Sequence, residues 1–318
     1  MTIQLIAAFA IAFLISLGFG AWLVPFLRKI KAGQSIKEIG PTWHQSKAGT
    51  PTMGGIMILI AVVLASVWFI PGHHRIGPVL FLTLAFGVIG FVDDYLKVVK
   101  HNSDGLIAWQ KLLLELGVTI VFCLYMVLGT GISLMIRIPF AGGRMADIGF
   151  FAYPLLFFAV LGTVNAVNFT DGLDGLSSSV TIIVAAFFAV ASLLLSSGTA
   201  PVAAAVGGAL AGFLCYNAYP AKVFMGDTGS LALGGFVAGM AYMMQMPLFI
   251  LIVGIIYLCE IVSVMIQVSY FKATHGKRIF KMTPIHHHFE KCGWSETRIV
   301  AVFSMITAAA VLIGLIAL

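Results

Sequence analysis

Between Asp174 and Lys222 the chain runs for 47 residues without a formal charge. A helix needs about 20 apolar residues to cross the hydrocarbon core of a bilayer. This stretch is therefore read as two crossings, with the turn supplied by Ser196-Ser197-Gly198-Thr199-Ala200-Pro201. Charge is scarce throughout: 60% of residues are hydrophobic and 9% charged, where a soluble domain carries about 25% charged residues. That composition excludes a soluble enzyme, a large extramembrane domain, and a catalytic unit hung on a single anchor. Apolar runs at roughly 3–27, 53–71, 78–96, 112–134, 151–167, 176–197, 201–218, 230–246, 247–271 and 298–318 predict about ten transmembrane helices. The expected fold is an all-α polytopic membrane protein, a single catalytic domain over 1–318.

No Lys or Arg precedes the first apolar run, whereas Arg28, Lys29 and Lys31 follow it. A signal peptide has the reverse polarity, so the run reads as a retained first span. With ten spans the termini share a side. Fifteen of the 18 Lys and Arg residues then fall on the opposite side, leaving only Arg75, Arg137 and Arg144 with the termini. The positive-inside rule makes the basic face cytoplasmic and both termini extracytoplasmic. Ten of the 12 acidic residues crowd the same boundary, Asp147 and Glu260 being the exceptions. A face carrying both signs in short loops is a candidate chemical site. The net charge of +6 is thus explained by membrane sidedness, and no nucleic-acid partner is expected. Cys123, Cys215, Cys259 and Cys292 form no CxxC pair, so neither a zinc site nor a disulfide framework is indicated. Gly208xxxGly212 and Gly235xxxGly239 can bring helices close, and 136–150, with Pro139 and Gly142-Gly143, reads as an outside hairpin or loop.

Five strings carry chemistry. Asp93-Asp94-Tyr95-Leu96-Lys97 closes the third span. Adjacent carboxylates at a membrane boundary repel and are costly to desolvate, so a divalent ion or a lysine such as Lys97 should compensate them. Asn168-Phe169-Thr170-Asp171-Gly172-Leu173-Asp174-Gly175 alternates acids with glycines, which permit close backbone approach to a ligand; Asp174 or Ser177 also suits a helix N-cap. In Asn217–Ser230, Asp227 sits at a helix start whose free N–H groups suit phosphate, and its carboxylate suits Mg²⁺. Phe224, on the loop before it, is either a stacking platform for a flat base or a core aromatic. Successive side chains of His286-His287-His288 point in different directions, which disfavours one shared metal; beside Lys272, Lys277, Arg278, Lys281 and Lys291 they suit phosphate donors. Lys47-Ala48-Gly49-Thr50-Pro51-Thr52-Met53-Gly54-Gly55 suits a phosphate or ring oxygen, or a capped helix start. Together these describe one pocket for phosphoryl-type transfer, in which positioning and charge neutralisation supply most of the catalysis. Its interfacial depth suits a lipid phosphate and a soluble diphosphate.

As a set, Asp93–Lys97, Asn168–Gly175, Gly226-Asp227-Thr228-Gly229-Ser230 and His286–His288 resemble the polyprenyl-phosphate N-acetylhexosamine-1-phosphate transferase superfamily. The triplet within Pro284-Ile285-His286-His287-His288-Phe289-Glu290, with 47–55, resembles its phospho-N-acetylmuramoyl-pentapeptide transferase branch. The resemblance spans essentially the whole chain. It implies that undecaprenyl phosphate attacks the sugar-linked phosphorus of UDP-MurNAc-pentapeptide, giving lipid I and UMP with Mg²⁺, in the bacterial cytoplasmic membrane and usually as a homodimer. By motif position, Asp93, Asp94, Asp227 and His286 would be catalytic and Asp227 would bind Mg²⁺. Lys97 and Lys111 would be nearby cations. Lys47, Asn217, Phe224 and the Gly172-Leu173-Asp174 backbone would hold the nucleoside. Thr52, Asn168, Asp171, Gln267, His287 and His288 would line the sugar-phosphate side. A GlcNAc-1-phosphate transferase shares the aspartate motifs and a nucleotide-sugar transporter is the non-enzymatic rival, but transporter sites lie near the midplane, often at repeats. Glu260, deep in a span and two turns before Gln267, is expected either to line a groove or to be a buried hydrogen-bonded carboxylate.

Overall fold

The computed structural model describes residues 2–30, 32, 47, 49–98, 100 and 105–318. Lys31, Lys37, Glu38, Ala48 and Asp104, part of the loop patterns above, lie outside the described residues. The chain is helical nearly throughout: α1 Thr2–Lys29, α2 Gly55–Ser66, α3 Ile76–Val98, α4 Ala108–Leu124, α5 Ala152–Thr170, α6 Leu176–Leu194, α7 Ala200–Asn217, α8 Gly226–Met243, α9 Ile250–Val253, α10 Ile255–Ala273, α11 Ile285–Lys291 and α12 Glu296–Ile316. In hydrocarbon a backbone must satisfy its own hydrogen bonds, and the helix does so within one segment.

Among the described residues nine helices are long and apolar enough to cross a membrane. The difference from ten lies at α8, whose five glycines, one serine and Asp227 dilute its hydropathy. It needs no lipid-facing surface, because every residue from Thr228 to Met243 is buried. α8 packs chiefly against α3 and α5, while α7 packs against α1 and α6. The 247–271 run is also interrupted: a 3₁₀ turn Pro247–Phe249, α9 and a break at Gly254 precede α10. Outer helices carry large apolar side chains outward, among them Ile3, Phe158 and Ile316, the last 80% exposed. Water would not tolerate such a belt; lipid does. The chain is a multi-pass membrane protein.

Both glycine motifs are packing surfaces. A Cβ at Gly208 would overlap the Phe9 carbonyl, and one at Gly212 would fall 2.7 Å from the Phe13 carbonyl, so α7 lies directly on the α1 backbone. Gly235 meets the Leu82 carbonyl of α3 in the same way. Of the two readings of 136–150, hairpin or loop, the structure shows a hairpin, β1 Ile136–Arg137 pairing antiparallel with β2 Met145–Ala146.

Candidate active site

The C-terminal ends of α3 and α5 meet the N-terminal ends of α4 and α8. Asp93 and Asp94 (2% and 3% exposed) end α3, and with Asp227 they offer carboxylate oxygens within 4.8 Å of one another. Gly90, one turn earlier, permits this: a Cβ there would overlap the Asp227 carbonyl. Lys97 pairs with Asp93 across one helical turn and reaches Asp227 at 3.2 Å. Lys111 from α4 approaches the same Asp227 oxygen at 3.2 Å, and Asn168 Nδ2 donates to the other at 2.9 Å. Asn168 also donates to Ser230 Oγ at 2.8 Å. Three carboxylates against two ammonium groups leave the cluster acidic. Oxygen donors at this spacing fit a hard divalent cation.

The structure corrects the phosphate expectation at α8. The α8 N-terminus is not open to phosphate, because Asp94 already occupies it: Asp227 N donates to Oδ1 at 3.1 Å, and Thr228 N and Oγ1 donate to Oδ2 at 2.9 and 2.6 Å. A carboxylate satisfies the orphan N–H groups and complements the dipole there. Asp93 instead accepts from Leu106 N at 2.7 Å and pairs with Lys97.

A second cluster gathers the Asp171–Gly175 loop. Lys47 Nζ lies 2.7 Å from Asp174 and 2.6 Å from Glu296. Burial disfavours its ammonium, but hydrogen bonds to Asp174 and Glu296 and their charges prevail, and its pKa sits above the usual lysine value. Asp174 also accepts from Ala221 N at 2.9 Å, so neither Asp174 nor Ser177 caps α6; Gly175, with φ +76°, stands at the N-cap. The Asn217 amide is spent within the fold, accepting from Gly175 N and Ser178 Oγ and donating to Val223 O. Leu173 and Thr52 are buried, and half-buried Phe224 is held through its backbone by Pro51 and Gly54. A cavity of about 1180 Å³ opens beside this cluster, lined by Lys47, Asp174, Tyr219, Lys281, Trp294 and Glu296 among others. Asp171 is pushed well above the ordinary carboxylate range by burial, with the charges of Asp227, Asp94 and Asp174 adding.

The three histidines have three different partners. His286 Nδ1 lies 3.0 Å from Glu260, His287 Nδ1 lies 2.6 Å from Glu290, and His288 Nδ1 accepts from Lys281 N at 3.1 Å. Glu260 is thus the buried hydrogen-bonded carboxylate of the two alternatives, at 0% exposure. Gln267 lies on the same helix face, but its amide grips the Ile279 and Phe280 backbone. Sequence reasoning missed Glu296 as the partner of Lys47, Thr228 as the partner of Asp94, and Glu115. The last is buried in α4 at 2% exposure and bonded to Asn165 at 3.0 Å. Its signal was an acid four residues after Lys111 in an apolar helix.

A family profile described as Glycosyl transferase family 4 matches residues 76–245, and a phospho-N-acetylmuramoyl-pentapeptide-transferase signature matches residues 47–59. Curated proteins called phospho-N-acetylmuramoyl-pentapeptide-transferase are similar over nearly their whole length. The protein of Clostridium botulinum (strain Alaska E43 / Type E3) is 48% identical over 317 residues, covering 98% of this chain and 96% of the relative. That of Acetivibrio thermocellus is 47% identical over 313 residues, covering 98% and 94%. That of Clostridioides difficile (strain 630) is 45% identical over 309 residues, covering 96% and 95%.

Proposed function

Since the chain belongs to the phospho-N-acetylmuramoyl-pentapeptide-transferase family, we propose that it transfers phospho-MurNAc-pentapeptide from UDP-MurNAc-pentapeptide to undecaprenyl phosphate. The products are lipid I and UMP, and the reaction needs Mg²⁺. The observation that carries this reading is the cluster of Asp93, Asp94 and Asp227 at a helix-end junction, framed by Lys97, Lys111 and Asn168.

Asp227 would hold the metal, with Asp93 beside it. When bound, Mg²⁺ would supply charge neutralisation for the diphosphate. Lys97 and Lys111 add two cationic donors at the same oxygens. Asp94 is bound to the α8 amides and Asp93 to Leu106 N and Lys97; of the two, Asp93 is assigned here as the acceptor of a proton from the lipid phosphate. The acceptor oxygen then forms a bond to the sugar-linked phosphorus while the bond to the nucleotide phosphate breaks, and UMP leaves. The nucleoside end of the donor lies along the Gly172–Asp174 backbone by Lys47 and Phe224.

The site faces the cytoplasm and the termini lie outside, in the bacterial cytoplasmic membrane. The charge partition supports this orientation, since 15 of 18 basic residues share the site's side. The assay is UMP release by purified protein with undecaprenyl phosphate and either UDP-MurNAc-pentapeptide or UDP-GlcNAc. Release with the muramoyl donor alone is expected; release only with UDP-GlcNAc overturns the reading.

A further inference from the structure

We propose that Glu260 is a positioning residue for the donor site, acting through His286 on the Gly172 backbone; this rests on the donor-binding role given above to the Gly172–Asp174 loop. Glu260 and His286 are both at 0% exposure, joined by the 3.0 Å contact between Oε2 and Nδ1, with His286 N a further 3.4 Å from the same oxygen. A carboxylate only accepts, so Nδ1 carries the hydrogen and Nε2 is the ring's remaining polar atom. Nε2 is buried, has no hydrogen-bond partner, and is pressed on Gly172: a Cβ there would overlap it. An ionisable side chain buried in a membrane helix is expensive, and this one makes its contacts with His286.

The geometry explains what the expense accomplishes. α10 grips the chain that follows it at two points on one face. Gln267 holds the Ile279 and Phe280 backbone, and two turns earlier Glu260 holds His286 at the start of α11. The imidazole then fills the space a side chain at 172 would take, and sets the path of the loop. Two residues on, Asp174 carries Lys47 and the Ala221 amide. Glu260 and His286 therefore act at one remove from the reacting atoms, and His286 takes a positioning role where the motif resemblance implied a catalytic one. They fix the backbone that receives the nucleotide, and their loss weakens donor binding ahead of the chemical step.

The test is steady-state UMP release by purified variants, varying donor and lipid acceptor separately. In Glu260→Leu, Nδ1–H is left buried and unpaired, and the KM for UDP-MurNAc-pentapeptide is expected to rise about tenfold. The KM for undecaprenyl phosphate and kcat should stay within about twofold, the signature of lost uniform binding. Glu260→Gln keeps a carbonyl acceptor and should stay within about twofold of wild type. Gly172→Ala attacks the same contact from the other side and should raise the donor KM alone. The double variant Glu260→Leu/Gly172→Ala should be no worse than the poorer single variant, because both changes break one contact. An unchanged donor KM in Glu260→Leu overturns the proposal. So does a fall in kcat at constant donor KM, a rise in both KM values with a lowered melting temperature, or multiplicative effects in the double variant. No UMP release by the wild type from either donor would instead overturn the proposed activity.

Discussion

At the residue scale the site depends on carboxylates with unlike surroundings. Asp227 is reached by two lysines and an asparagine, Asp94 is locked into the α8 N-terminus, and Asp93 pairs with Lys97. Asp227→Ala should lower UMP release by about 10³-fold or more through loss of the metal and its charge stabilisation; full turnover in that variant would remove Asp227 from the metal site. Phe224→Ala should weaken UDP-sugar binding by about 1–3 kcal/mol if the ring stacks on uracil as aromatics do on bases, and titration calorimetry with an unchanged affinity would contradict stacking. Asp171 gives a pH test. Its folded pKa is raised above the ordinary 3.8, so its contribution to stability is intact below the unfolded value and is lost as pH rises through the folded one. Neutral Asp171→Asn should therefore melt at or above the wild-type temperature near about pH 8, the gain vanishing below about pH 4. A gain confined to acid would have the wrong sign.

At the element scale, the geometry of the aspartate cluster is a consequence of how closely α3 approaches α8. Gly90 has no side chain because the Asp227 carbonyl stands where one would be. Gly90→Ala should push the two helices apart, costing about 1–3 kcal/mol as overpacking does, and should lower turnover by separating Asp93 and Asp94 from Asp227. A melting curve and UMP release both unchanged would mean that the approach is not needed. Elements were the most legible level of the sequence. Most long apolar runs place helix ends within a few residues, because the bilayer fixes their length; the 112–134 and 247–271 runs do not, since α4 ends at Leu124 and α10 begins at Ile255. α8 escapes that rule: it is shielded by α3 and α5, and a buried helix can be glycine-rich. The Asp94 cap was illegible for a related reason. The pairing of α3 with the α8 amides spans more than 130 residues, and nothing local to either segment announces it. The acidic strings themselves stood out because they interrupt hydrocarbon-like sequence, whereas Glu115 and Glu296 are single charges whose partners only the fold supplies.

At the scale of the whole molecule, the charge that the proposed orientation rests on is the charge that frames the aspartate cluster. Scarce ionisable groups gather where helix ends converge, and lysines of the basic face pair with the acids. A reporter that fluoresces only in the cytoplasm, fused after Leu318, should stay dark; bright fluorescence would contradict an extracytoplasmic C-terminus. Metal-dependent transfer at the aspartate junction can be followed as UMP release. Purified protein is given UDP-MurNAc-pentapeptide and undecaprenyl phosphate, and UMP is followed with Mg²⁺, after chelation, and after Mg²⁺ is restored. Release that stops on chelation and returns with Mg²⁺ is the predicted result; release that continues in the chelator, or that never occurs with this donor, would contradict it.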